Sequence, residues 1–146
     1  MERMSLVELK ERLHAQGFEQ KAIVSDEEME LAQESFNSQE DVMDTPAEEL
    51  RYIEGLLNLP FGHIEEFKIL PAKGSESCAC GRIPSALDVV YTALNKRIHD
   101  REVIRDTLIG FSNLIELSEN GRTAECYNCG RLISSRSYWT RRYMYA

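Results

Sequence analysis

The feature that most constrains this chain is a set of four cysteines that fall into two short pairs, each followed by glycine. The pairs are Cys78-Ala79-Cys80-Gly81 and Cys126-Tyr127-Asn128-Cys129-Gly130. Two thiolates from one tight turn can occupy neighbouring corners of a tetrahedron around a metal ion, and the glycine permits a positive φ that turns backbone amides towards sulfur. We therefore predict that Cys78, Cys80, Cys126 and Cys129 bind one metal ion.

Several interpretations of the cysteines compete. Zinc is the predicted ion, and iron, which accepts the same four thiolates, stays an alternative. A redox dithiol at Cys126 and Cys129 is another, although Tyr127-Asn128 between them suits a hairpin better than the start of a helix. Four unrelated buried cysteines would not be expected to form two such clusters. Four thiolates fill the coordination sphere, which is typical of a structural rather than a catalytic metal.

The two pairs resemble the knuckles of zinc-ribbon and treble-clef domains, in which two such turns converge from separate elements on one ion. The resemblance covers the four cysteines and their glycines between residues 78 and 130. It implies a structural zinc ion with Cys78, Cys80, Cys126 and Cys129 as its ligands. The Cys-x-Cys spacing of the first pair departs from the commoner Cys-x-x-Cys knuckle.

The length and composition are those of one globular domain. The chain has 146 residues, of which 42% are apolar and 29% charged, so it can bury a core of its own. The N-terminus carries charges where a signal peptide needs an apolar run, and we expect a cytoplasmic protein, in which thiols stay reduced.

Local signals predict an α+β fold in two portions. Residues 1–62 form an acidic helical portion, with helices starting at Ser5, Ser25 and Thr45, where a hydroxyl can cap the helix. Residues 63–146 form a metal-binding portion with a small antiparallel sheet. In it we predict a strand over 63–70, a helix from Ser85 to about Arg97, a turn at Glu119-Asn120-Gly121 and a hairpin with the second cysteine pair at its tip. Residues 101–109 fit a helix or a strand.

Charge is unevenly distributed along the chain. Residues 1–76 hold 18 acidic and 7 basic side chains, a net charge of −11, and residues 77–146 hold 7 acidic and 10 basic ones, a net charge of +3. An acidic face of this kind steers a basic partner towards the protein. The candidate acidic contacts to such a partner are Asp26, Glu27, Glu30, Glu34, Asp41 and Asp44.

The C-terminal tail offers a second set of candidate contacts, because arginines there alternate with aromatic residues. Such side chains can stack on nucleobases or form the hot spots of a protein interface. The candidates are Arg136, Tyr138, Trp139, Arg141 and Arg142. In the simplest alternative, the tail is the last strand, with its aromatics in the core and its arginines paired with the acidic half.

Two functions follow as expectations. The chain carries no motif of a known active site, and we expect a protein that is not an enzyme. In size and charge it resembles the acidic immunity proteins that bacteria make against their own toxins, which implies a basic toxin or enzyme as its partner. The alternative is a nucleic-acid-binding zinc ribbon, although a sequence pI of about 5.0 disfavours binding to a polyanion. No membrane association is expected.

Overall fold

The computed structural model describes residues 6–18, 20–109, 113–117 and 122–145. The helices in these ranges are α1 (Leu6–Ala15), α2 (Asp26–Asn37), α3 (Ala47–Leu56), α4 (Ala86–Asn95) and α5 (Arg101–Ile109). The strands are β1 (Lys21–Ile23), β2 (Met43–Asp44), β3 (Lys68–Pro71), β4 (Leu114–Glu116), β5 (Arg122–Glu125), β6 (Leu132–Trp139) and β7 (Tyr143–Tyr145). The predicted cap at Ser5 and the predicted turn at 119–121 lie outside the described residues.

The strands form one mixed sheet, which confirms the α+β class. Its order is β1-β4-β7-β6-β3-β2, and β5 pairs with the other end of β6. The prediction of an antiparallel sheet is wrong at one place, because β4 and β7 run parallel. Both outer strands of the order, β1 and β2, come from residues 1–62. The acidic helical portion therefore builds part of the sheet, in addition to packing on it.

Helices cover both faces of the sheet, and each face has its own core cluster. One cluster joins α1 and α2 to the sheet through Leu9, Leu13, Met29, Phe36 and Trp139. The other joins α3 and α4 to it through Leu50, Ile53, Val90, Phe67 and Tyr138. Tyr138 and Trp139 are neighbours in β6 and point to opposite faces, as the two-residue period of a strand requires.

Two of the predicted elements differ in the structure. The strand expected over 63–70 covers only Lys68–Pro71, and residues 63–67 have no regular structure. The buried carboxylate of Glu54 accepts hydrogen bonds there from the backbone amides of Gly62 (3.0 Å) and Ile64 (2.6 Å). These amides are thus satisfied without a strand partner. Residues 101–109, which were ambiguous, form helix α5.

Among the described residues, no helix has the length and apolar character needed to cross a membrane.

Candidate metal centre

The fold brings the four cysteine sulfurs together. Sγ of Cys78 lies 3.3 Å from Sγ of Cys129, and Sγ of Cys80 lies 3.7 Å from Sγ of Cys126. All four sulfurs lie within 4.8 Å of one another. A tetrahedral site with metal–sulfur bonds of about 2.3 Å places neighbouring sulfurs about 3.8 Å apart. The cluster can therefore hold one metal ion, and the predicted convergence of the two pairs is confirmed.

Each cysteine pair lies in a backbone turn that its glycine closes. In the first turn, the Cys78 amide donates to the Arg82 carbonyl and the Gly81 amide donates to the Cys78 carbonyl, both at 2.9 Å. Gly81 has a φ of +94°, in the region where a Cβ is disfavoured. A side chain at this position would strain the turn.

The second turn repeats this arrangement at the tip of the β5–β6 hairpin. The Cys126 amide donates to the Arg131 carbonyl at 2.7 Å, and the Gly130 amide donates to the Cys126 carbonyl at 2.8 Å. Gly130 has a φ of +79°. The hairpin register pairs Glu125 with Leu132, so the sheet itself places this turn.

The thiols divide into an inner and an outer pair. Cys78 and Cys126 are buried, whereas Cys80 and Cys129 are exposed. Each turn therefore contributes one buried thiol, which anchors the cluster to the core, and one exposed thiol.

The pKa values of the two exposed thiols, Cys80 and Cys129, are shifted in opposite directions. Hydrogen bonds from the Asn128 side chain and the Arg82 amide lower the pKa of Cys80 to about 6. The Arg131 amide lowers the pKa of Cys129, but hydrogen bonds with the neighbouring thiols, together with burial, raise it to about 12. Clustered thiols resist carrying several negative charges side by side. A divalent cation removes this repulsion, which suits the cluster to a metal.

A buried carboxylate connects the two turns. Asp88, fully buried in the first turn of α4, accepts from Arg82 Nε (3.0 Å) and Nη2 (2.9 Å) beside the first pair. It accepts from the Tyr127 amide (2.7 Å) in the second pair and from the Ser85 amide (2.8 Å), closing the capping box of α4. One side chain thereby fixes both turns against the same helix end.

Helix α3 joins this network through Glu49. Its Oε1 accepts from Arg82 Nη2 at 2.7 Å and from Ser85 Oγ at 2.6 Å. Asp88 and then Glu49 raise the pKa of Arg82, so its guanidinium stays charged. Sequence reasoning missed Arg82, Asp88 and Glu49 as supports of the metal centre. The predicted helix start at Ser85 gives no indication of these contacts, because Arg82 and Asp88 meet partners from α3 and from the second cysteine turn.

Aromatic contacts hold the exposed side of the second turn. The Tyr127 hydroxyl donates to the Tyr52 hydroxyl at 2.9 Å, and its ring meets the Tyr91 ring edge-on at 4.8 Å between centroids. The Arg82 guanidinium lies 5.7 Å from the centre of the Tyr127 ring. Tyr127, which follows the first cysteine of the second pair, therefore connects the second turn to α3 and α4.

The predicted acidic partner contacts lie at the surface. Asp26, Glu27, Glu30, Glu34, Asp41 and Asp44 are all exposed. Asp26 and Asp44 are also among the residues with contacts within the chain. Asp26 accepts from Asn113 Nδ2 at 2.6 Å and lies 3.7 Å from Arg142 Nη1, and Asp44 lies 3.4 Å from Lys68 Nζ.

The predicted contacts in the tail divide differently. Tyr138 and Trp139 are buried, with 6% and 2% of their surface exposed, because β6 runs through the middle of the sheet; this agrees with the alternative in which the aromatics of the tail lie in the core. Arg141 and Arg142 are exposed, and Arg141 Nη1 lies 2.8 Å from Glu65 Oε2. Arg136 lies in β6, and its side chain is outside the described part of the structure.

A model of one protein family, described as "Domain of unknown function (DUF8243)", matches residues 15–146. No curated protein and no solved structure matches the chain.

Proposed function

The chain belongs to this family, and we propose that it is a non-catalytic protein in which one structural zinc ion stabilises a surface that binds a basic protein partner. The observation that carries the metal assignment is the convergence of four sulfurs within 4.8 Å of one another. Zinc suits a closed set of four thiolates, because it has no geometric preference that competes with a tetrahedron. A full coordination sphere leaves no position for a reacting water, which supports a structural role.

Metal content tests this assignment directly. We expect one zinc ion per chain by elemental analysis of protein purified without added metal. Cys126→Ser should lose the ion, whereas Ala79→Ser, which adds a hydroxyl in the first turn and removes no thiol, should retain it. Bound iron would change the identity of the ion, and the assignment of a metal site with four thiolate ligands would stand. A protein with no bound metal, or with the same metal content in Cys126→Ser, would contradict the proposal.

The observation that supports a basic partner is an acidic cleft beside α2. The cleft has a volume of about 570 Å³, and the carboxylates of Asp26 and Glu30 on α2 line it together with Glu65 and Glu66 from the loop before β3. Arg141 and Arg142 also line the cleft and pair there with Glu65 and Asp26, so the cleft already accommodates two guanidinium groups. Helix α2 has no basic residue in its last turn to offset its acids.

Nucleic acid is the weaker alternative on this structure. The aromatic residues of the tail would have to stack on bases, but Tyr138, Trp139, Tyr143 and Tyr145 are buried. The exposed arginines 141 and 142 lie beside Glu65 and Asp26. These described residues of the tail therefore offer neither the free rings nor the uncompensated charge that a polyanion would need.

Charge reversal separates the two functions. The finer proposal is a toxin inhibitor of the immunity type, which predicts a toxin gene directly upstream of the gene for this protein, and the product of that gene is the test partner. We expect Glu30→Lys with Glu34→Lys to weaken binding at least tenfold, and added salt to weaken the wild-type complex. Glu102→Lys, an exposed reversal on α5, is the matched control.

Two results would overturn the partner proposal. One is equal binding by the α2 variant and the control. The other is sub-micromolar binding of labelled nucleic acid at physiological salt by the wild-type protein.

A further inference from the structure

A second cavity lies on the other helical face of the molecule, away from the acidic helix α2. It has a volume of about 460 Å³ and is lined by α4, α5 and the sheet. Ala93 of α4 and Ile104 of α5 line it on the helical side, and Phe67, Leu117 and Tyr143 line it on the side of the sheet. Pockets that take small organic molecules are mainly apolar and have volumes of about 300–1,000 Å³.

Helix α5 covers this cavity without filling it. None of the side chains at 101–108 is buried. Val103 on the cavity side is 49% exposed, and Ile104 and Leu108 are only half-buried against the core. An amphipathic helix is normally stabilised by burying its apolar face. Here, part of the space that this face would fill is left open.

Beside its apolar lining, the cavity has polar side chains at Gln20, Lys21, His99, Thr107, Glu116, Tyr138 and Tyr143. The Tyr143 hydroxyl donates a hydrogen bond to Glu116 Oε2, and burial raises the pKa of Tyr143 so that this hydroxyl stays protonated. The strand register places Lys21 directly opposite Glu116, and both line the cavity. Two opposite charges side by side leave little net field for an ionic ligand.

We propose that this cavity binds a small, uncharged and mainly apolar organic molecule, with helix α5 as its cover. The ligand fills the space under Val103 and Ile104, and its polar atoms, if present, meet the Tyr143–Glu116 pair. None of the four cysteines lines the site, which adjoins the acidic cleft at Leu108 of α5, and the inference does not rest on either proposed role.

An uncharged fluorescent probe tests the cavity. N-phenyl-1-naphthylamine, whose emission rises in apolar surroundings, should bind the metal-loaded protein saturably with one site per chain. Ala93→Trp places a large ring in the cavity and should weaken probe binding at least tenfold. Ala47→Trp adds the same ring at an exposed position of α3 and should bind the probe as the wild type does. Hydrogen exchange in α5 should slow when the probe is bound.

Three results would overturn the proposal. The probe could bind without saturation, bind Ala93→Trp as tightly as the wild type, or leave exchange in α5 unchanged. Should Ala93→Trp fail to fold, Thr107→Trp on α5 replaces it, because Thr107 lines the cavity and is only half-buried. The anionic probe 1-anilinonaphthalene-8-sulfonate should bind more weakly than the uncharged one, and tighter binding of the anion would refute the assignment of an uncharged ligand.

Discussion

Among single residues, Asp88 has the largest structural role around the metal centre. Its carboxylate is fully buried and receives hydrogen bonds from Arg82, Ser85 and Tyr127. A buried carboxylate is tolerated only when its oxygens are satisfied and its charge is paired. Asp88 meets both conditions with groups from the two cysteine turns, so its burial also positions the metal ligands.

Asp88→Asn should therefore destabilise the protein strongly. It leaves the Arg82 guanidinium, with 15% of its side chain exposed, without its buried partner, and breaking such a pair costs about 3–5 kcal/mol. Urea unfolding of the metal-loaded protein measures the loss. Glu49→Gln is the matched control, and we expect it to cost about 1 kcal/mol, because Arg82 keeps Asp88. Equal losses in the two variants would show that Asp88 has no special role.

Trp139 lies in the core, as the simplest interpretation of the tail expected. It is the single tryptophan of the chain, and its ring meets Phe36 edge-on at 6.0 Å between centroids. We expect blue-shifted emission that acrylamide quenches poorly, because the ring is buried. Trp139→Ala should lower the free energy of unfolding by about 3–5 kcal/mol. Quenching as strong as that of free tryptophan would contradict the core position.

At the scale of elements, helix starts were the most predictable feature. Helices were predicted to start at Ser25 and Ser85. Each of these hydroxyls accepts a hydrogen bond from a backbone amide in a complete capping box. The interaction spans four residues, so the local sequence contains all its parts. Thr45 shows the limit of this reasoning, because its Oγ1 accepts instead from the distant Ala86 amide at 3.1 Å.

Glu28 gives the capping box of α2 a measurable pH dependence. The Ser25 amide, together with Arg12 at 2.5 Å, lowers the pKa of Glu28 below its ordinary value of 4.5. A pKa lowered by folding stabilises the folded state above pH 4.5, and this stabilisation is lost as the pH falls through the lowered pKa. Glu28→Gln should cost about 0.5–1 kcal/mol at pH 7.

The difference between wild type and Glu28→Gln should shrink as the pH falls below 4.5, measured by thermal unfolding of both proteins across the range. Glu27→Gln, which changes an exposed neighbour, is the control and should show a smaller difference. A difference that stays constant with pH would exclude the charge of Glu28 as its source.

Elements whose form depends on distant contacts were less predictable. Residues 63–67 have the composition of a strand, but Glu54 satisfies two amides of the 62–64 turn. The register of β3 with β6 shifts between Leu70 and Pro71, as expected where a proline cannot donate to the ladder. These outcomes depend on tertiary neighbours, which a local pattern does not contain.

At the scale of the whole molecule, the four-cysteine cluster brings together parts of the chain that are 46 and 51 residues apart. It joins the loop after β3 to the β5–β6 hairpin, while most of the apolar core lies in two clusters beyond it. Metal removal should therefore loosen one side of the molecule and leave the protein folded.

Chelation tests this expectation. Zinc binding to structural sites is worth about 10–16 kcal/mol in small peptides that fold only with metal, and we expect a loss of several kcal/mol here. Hydrogen exchange should accelerate in 72–85 and in the β5–β6 hairpin, and change little in α1 and α2. Complete unfolding of the metal-free protein, or an unchanged melting temperature, would contradict this division of stability.

The sequence alone determined the two cysteine pairs, the α+β class and the main helix starts, because each depends on residue types at short, fixed spacing. Tertiary structure alone decided three other features: the parallel pairing of β4 with β7, the burial of Tyr138 and Trp139, and the role of Asp88. Each of these depends on which distant segments meet across the sheet, and the free energy of those contacts is not encoded in any local window. The cysteine pairs were predicted as ligands, but only the fold showed that a buried carboxylate on α4 holds them in place.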